Sequence, residues 1–153
     1  MANRYAVAGR TVATAATANH VAAQLWNPHG SKSIYVREIW VFSTTAGVSN
    51  IQIIRSSARG ATPTATATPD ADNAFDRRAV PPSAAVLELA TFGTQPTLAG
   101  PQMGQVNLAA QIGAGIIIPF PQPIEVPFGT GLCVSTPVAV ILPASDVTAV
   151  WDE

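Results

Sequence analysis

Few side chains in this sequence could do chemistry. It carries two histidines, His20 and His29, one cysteine, Cys133, and four glutamates, Glu38, Glu88, Glu125 and Glu153. A metal centre of the cupin kind needs a His-x-His pair, a carboxylate and a later histidine. That set cannot be assembled here. A serine nucleophile needs a base within hydrogen-bond reach, and neither a Gly-x-Ser-x-Gly elbow nor a Ser-His-Asp order stands out. Glu38, Glu88 and Glu125 each stand alone in a strand-like run. Two of them could meet across strands as a glycosidase pair, but nothing in their spacing favours this over surface placement. Gly113-Ala114-Gly115 is followed by neither a dinucleotide fingerprint nor a phosphate-binding Gly-Lys-Ser/Thr. Cys133 sits in Gly131-Leu132-Cys133-Val134 with no basic neighbour, which predicts a buried, inert thiol. His29 lies in a proline turn and His20 beside an Ala/Thr tract, so both are expected to be exposed and idle. These residues predict no enzyme, no metal and no cofactor.

The elements around them read as all-β. Ser33 to Ser43 is dense in β-branched and aromatic residues and is the surest strand. Strict alternation divides it into Ile34, Val36, Glu38, Trp40, Phe42 and Tyr35, Arg37, Ile39, Val41. Both faces are largely apolar, so the strand is expected to be covered on both, on one side by another subunit. Val21 to Trp26 and Asn50 to Arg55 flank it, and the three could form a meander. Further strands are expected at Ala85–Thr91, Gly115–Phe120, Ile124–Phe128, Gly131–Ser135 and Val147–Trp151. Proline is expected to stop the second of these runs and keep it separate from the next. Val12 to Ala23 is Ala-rich but shows no apolar stripe, so no helix is expected there. Eight or so short strands in residues 1–153 predict a single antiparallel β-sandwich or jelly roll. Residues 56–83, rich in Thr, Pro and Ala, read as a long loop or arm.

Bulk composition adds a partner. Only 11% of residues are Asp, Glu, Lys or Arg, with a net charge of -1, against about 25% charged residues in ordinary domains. So neutral a surface favours association. The basic residues are scattered, with only Arg77 and Arg78 adjacent, which argues against nucleic acid. The start Met-Ala-Asn-Arg-Tyr has no long apolar h-region, and no apolar run is long enough to cross a bilayer. A soluble product made in a reducing cytoplasm is expected, with no membrane partner. Trp26, Trp40 and Trp151 read as core residues; a sugar platform would need exposed rings in one plane.

Several turn motifs resemble small structural proteins of tailed-phage virions. They are Leu25-Trp26-Asn27-Pro28 with Gly30-Ser31 before a long strand, Thr94-Gln95-Pro96-Thr97-Leu98, and the closing stretch from Pro127-Phe128-Gly129-Thr130-Gly131-Leu132 to Val147 through Glu153. The resemblance spans most of the chain. It implies a jelly-roll-like virion component: a capsid decoration, or cement, protein acting as a homotrimer on the major capsid protein or another virion protein. A tail or fibre module that binds a host sugar or protein is the alternative. The expected interface residues are Phe75, Arg77 and Arg78 on the arm, with Tyr35 and Arg37 on the long strand.

Overall fold

The computed structural model describes residues 3–69 and 83–153. Ten strands run in chain order as β1 (Arg4–Arg10), β2 (Val21–Asn27), β3 (Ile34–Ser43), β4 (Ser49–Ala58), β5 (Ala61–Ala67), β6 (Val86–Thr94), β7 (Thr97–Leu108), β8 (Gly115–Val126), β9 (Thr130–Ser135) and β10 (Ser145–Asp152). They form two antiparallel sheets, one ordered β1-β10-β3-β8 and the other β5-β6-β2-β9-β4-β7. The all-β sandwich is therefore observed, and no helix occurs among the described residues.

Alternation of β-branched and aliphatic residues supplies the core. Tyr5, Val7, Ile34, Val36, Ile39, Val41, Val147, Ala149 and Trp151 face inward from the four-stranded sheet. Ala23, Leu25, Ile51, Ile53, Leu87, Leu89, Leu132 and Val134 meet them from the other. Trp151 is fully buried and stacks on Tyr5 with ring centroids 5.9 Å apart.

Four expectations change. The meander does not form: β2, β3 and β4 do not pair with one another, and β3 lies in the opposite sheet from β2 and β4. β1 and β7 are strands that composition concealed, because their Ala, Gly, Gln and Arg content lacks the β-branched signature. Gly115–Val126 is one strand rather than two, since its prolines fall on a sheet edge, where a missing N–H costs no ladder bond. Between Pro119 and Ile124 it arches away from β3, whose partners there are Glu38 and Val36.

The fourth change concerns residues 56–83, read as a loop. Ser56–Ala58 completes β4, and Ala61–Ala67 is an edge strand paired with β6. Threonine explains the pairing: Thr64 Oγ1 accepts from Thr91 N at 2.7 Å, a cross-strand contact that low complexity does not prevent. The remainder of that segment, 70–82, lies outside the described residues.

β2 is buried along its whole length, which a two-layer sandwich does not by itself explain. The end of β4 and the connection leading to β5 lie against its outer side. Gln24, fully buried, pins them: its Nε2 donates to Ser56 Oγ at 2.7 Å and Ala58 O at 3.2 Å, and its Oε1 accepts from Gly60 N at 2.9 Å. A Cβ on Gly60 would fall 2.4 Å from Phe92 Cδ1, so only glycine lets the crossing chain lie this close. Beneath it Val21, Ile54, Ala90, Phe92 and Cys133 form a second, smaller core.

Candidate functional site: the outer face of the four-stranded sheet

The site begins with a bulge. β3 pairs Val36 with Trp151 and Glu38 with Val150, so Arg37 is the extra residue. One extra residue reverses which side chains point inward. Ile34, Val36, Ile39 and Val41 all turn into the core, although strict alternation puts them on opposite faces. Tyr35, Trp40 and Phe42 all turn outward. Tyr35 is 43% exposed and Phe42 36%, and Trp40 is partly exposed. The inner side of this strand is covered as expected; among the described residues the outer rings stay partly exposed, on the side expected to meet another subunit.

Neighbouring strands fit around these rings. Trp40 lies between Thr148 of β10 and Ile117 of β8, and Ile117 is 46% exposed. Trp40 Nε1 donates to Glu38 Oε2 at 2.8 Å, which fixes the indole plane. Phe42 lies over Gly115, where a Cβ would come within 2.2 Å of the ring. The result is an aromatic and aliphatic row along one face.

The arginines on this face are matched within it, while Glu38 is held by Trp40 Nε1 rather than by a cation. Asp152 accepts from Arg4 Nε at 2.8 Å and from Arg37 Nε at 2.6 Å, and Arg10 makes a two-pronged contact with Asp146 at 2.7 and 3.0 Å. Arg37, expected at an interface, is thus tied to Asp152, and Tyr35 is free to meet a partner. Phe75, Arg77 and Arg78 lie outside the described residues.

Burial pushes the Asp152 carboxyl up, but the hydrogen bonds and charges of Arg4 and Arg37 outweigh it and hold its pKa below the usual carboxylate range. A depressed folded-state pKa stabilises the fold above the unfolded value and loses that contribution as pH falls through the folded one. Stability should therefore decline below about pH 4, and Asp152→Asn should flatten that decline. Urea midpoints measured from pH 6 to pH 2 check this; an unchanged acid limb in the variant would count against it.

The remaining candidate chemical groups do not converge. Glu88 is buried in the six-stranded sheet and paired with Arg59, while Glu125 accepts from Ser33 Oγ at 2.7 Å. Both histidines are only partly exposed, against expectation: His20 Nε2 lies 3.1 Å from Gln95 Nε2, and His29 Nε2 lies 3.5 Å from Glu153. Cys133 is buried as expected, and burial pushes its thiol up to about 12. Among the described residues no cluster of three His, Cys, Asp or Glu could hold a metal ion.

A second apolar surface lies at one end of the sandwich. The four connections 11–20, 44–48, 109–114 and 136–144 meet there, joined by bonds such as Thr14 N to Leu142 O and Thr44 N to Ala144 O. None contains a charged residue. Val48, Ile112 and Ile141 are each more than half exposed on them, beside a groove of about 540 Å³.

The bulge is what sequence reasoning missed. Its signal was the adjacent pair Arg37-Glu38 inside an otherwise apolar strand, where two polar residues in a row break any period of two. Fold and face together define a two-layer antiparallel β-sandwich with an aromatic face that has no covering strand among the described residues. Comparison of the chain with family models, with curated proteins and with solved structures yields no match.

Proposed function

We propose that this chain is a non-catalytic structural subunit of a phage particle, a capsid decoration protein that associates with copies of itself and braces the major capsid protein. The observation that carries the reading is the aromatic row Tyr35, Trp40 and Phe42 with Ile117, beside arginines already paired with Asp152. A face of this kind suits a protein partner, because aromatic anchors gain most from burial and its arginines are already paired with Asp152 and Asp146. Strand order is a second support. With the β5–β6 hairpin set aside, the sheets read β1-β10-β3-β8 and β2-β9-β4-β7, the interleaving of a jelly roll, an architecture common in capsid domains. Such a protein acts by mass action, stabilising only the assembled shell on which its face is buried.

One observation favours the alternative, a tail or fibre module that binds a host sugar. Trp40 and Phe42 are successive outward residues of one strand, and such rings can stack on sugar rings.

Particle stoichiometry and a face variant together test the proposal. Hundreds of copies per particle are expected for decoration, on the order of tens or fewer for a tail part. Trp40→Ser with Phe42→Ser should weaken particle binding by about 2 to 4 kcal/mol while leaving thermal unfolding of the free protein nearly unchanged. Full occupancy by this variant would count against the face. A low copy number with glycan-dependent quenching of Trp40 fluorescence would favour the alternative.

A further inference from the structure

The sandwich has four edge strands, β1 and β8 in one sheet and β5 and β7 in the other. An edge strand presents unpaired N–H and C=O groups that another chain can pair with, and proteins block it with charge, proline, shortness or bulges. Three of these edges are blocked. β1 has seven residues with an arginine at each end, and β5 has seven with Pro63 among them. β8 carries Pro119, Pro121 and Pro123 and arches away from its neighbour there. β7 differs. It has twelve residues, none of them charged, and no proline after Pro101. Its register with β4 is regular from Gly104 opposite Ile53 to Leu108 opposite Ser49. Its far edge has no partner among the described residues.

We infer that β7 is an assembly edge that pairs antiparallel with β7 of a second copy about a twofold axis, continuing the six-stranded sheet across two chains. The inference rests on the reading that the chain self-associates, and it makes the contact twofold where the resemblance implies threefold. The side chains identify the occupant. Gln102, Gln105 and Asn107 are exposed along β7. Gln105 Nε2 donates to Asn50 Oδ1 at 2.9 Å, and Gln102 Nε2 donates to Gln52 Oε1. Each amide both donates and accepts, so a strand bearing a row of them is complementary to its own copy. A strand of one charge sign would repel its copy instead. On the opposite face Met103 and Val106 pack on the main core but stay partly exposed, and a second β7 would cover that flank. An antiparallel strand pair of this kind is isologous: it closes after two chains.

Light scattering on the full chain at micromolar concentration tests this, using Gln105→Lys/Asn107→Lys and Gln105→Glu/Asn107→Glu. The parent should have the mass of two 15.8 kDa chains. Each double variant alone should fall to half that mass, and an equimolar mixture of the two should return to it. Thr97→Lys, which adds charge outside the regular half of β7, should keep the parent mass. Amide exchange at Gly104–Leu108 should slow with concentration in the parent but not in the lysine variant. If the parent associates and the lysine double variant keeps its mass, the edge inference is overturned and self-association stands. Equal loss of mass in Thr97→Lys overturns it too. A parent at single-chain mass throughout also overturns it, and the virion reading then rests on particle stoichiometry alone.

Discussion

Trp151→Ala should cost about 3 to 5 kcal/mol of folding stability, the largest single loss expected in this chain. Trp151 is fully buried, stacks on Tyr5 at 5.9 Å, and points its Nε1 at Ser83 Oγ 3.3 Å away. Removing the indole opens a cavity between β1, β10 and the segment before β6, and leaves the Ser83 hydroxyl without one of its partners. A domain of this size has roughly 5 to 15 kcal/mol in total, so the variant should unfold about 10 °C or more below the parent. Trp151→Phe keeps the stack and loses chiefly the hydrogen bond, with an expected cost under about 2 kcal/mol. Calorimetry on both variants checks the ranking. Were Trp151→Ala to lose less than Trp151→Phe, the account of the core would fail.

The second large effect concerns a buried carboxylate. Glu88 lies in the interior of the six-stranded sheet, and Arg59 reaches it with Nε at 2.8 Å and Nη2 at 2.7 Å from Oε1. The other oxygen, Oε2, is buried without a hydrogen-bond partner among the described residues. Arg59 itself is about half exposed, so the pair is asymmetric: the cation stays in water and the anion does not. Arg59→Met removes the cation that holds Glu88 among the described residues, and stranding a buried charge costs about 3 kcal/mol. Glu88→Gln placed in the same chain removes the stranded charge, so the double variant should be more stable than Arg59→Met alone. A double-mutant cycle by urea unfolding measures the coupling. Additive losses would mean that Arg59 acts through packing on the crossing chain rather than through charge.

Sequence reading worked where the chain is most hydrophobic. β3, β9 and β10 were legible because buried strands concentrate β-branched residues. β7 and β5 were not, because edge strands are held by backbone pairing and by Thr and Gln side chains, which also populate loops. The pairing itself was not legible either. Nothing local in Val21–Asn27 states that its neighbours are β6 and β9. The aromatic face was half legible: Tyr35 was picked out, but Trp40 and Phe42 were assigned with Val36 until the bulge at Arg37 reversed them. Arg37 itself was read as a contact residue, yet it spends its charge on Asp152. Gln24 went unnoticed, since a lone glutamine carries no spacing signal of its buried role.

The pairing of β1 with β10, which joins Arg4 to Asp152 and Arg10 to Asp146, has a consequence in time. A ribosome delivers the strands in order, at several residues per second. β1 emerges first and meets its only partner last, after more than a hundred residues have followed it. β2, at the centre of the other sheet, likewise waits for β6 and then for β9. No early hairpin of neighbouring strands can hold either of them, and closing such long loops slows folding. β1 must therefore stay unpaired until synthesis reaches Ser145–Asp152, and β2 until it reaches Val86–Thr94. Pro63 of β5 and the three prolines of β8 then protect the nascent chain at that stage, when the finished sandwich does not yet exist to hide its strands.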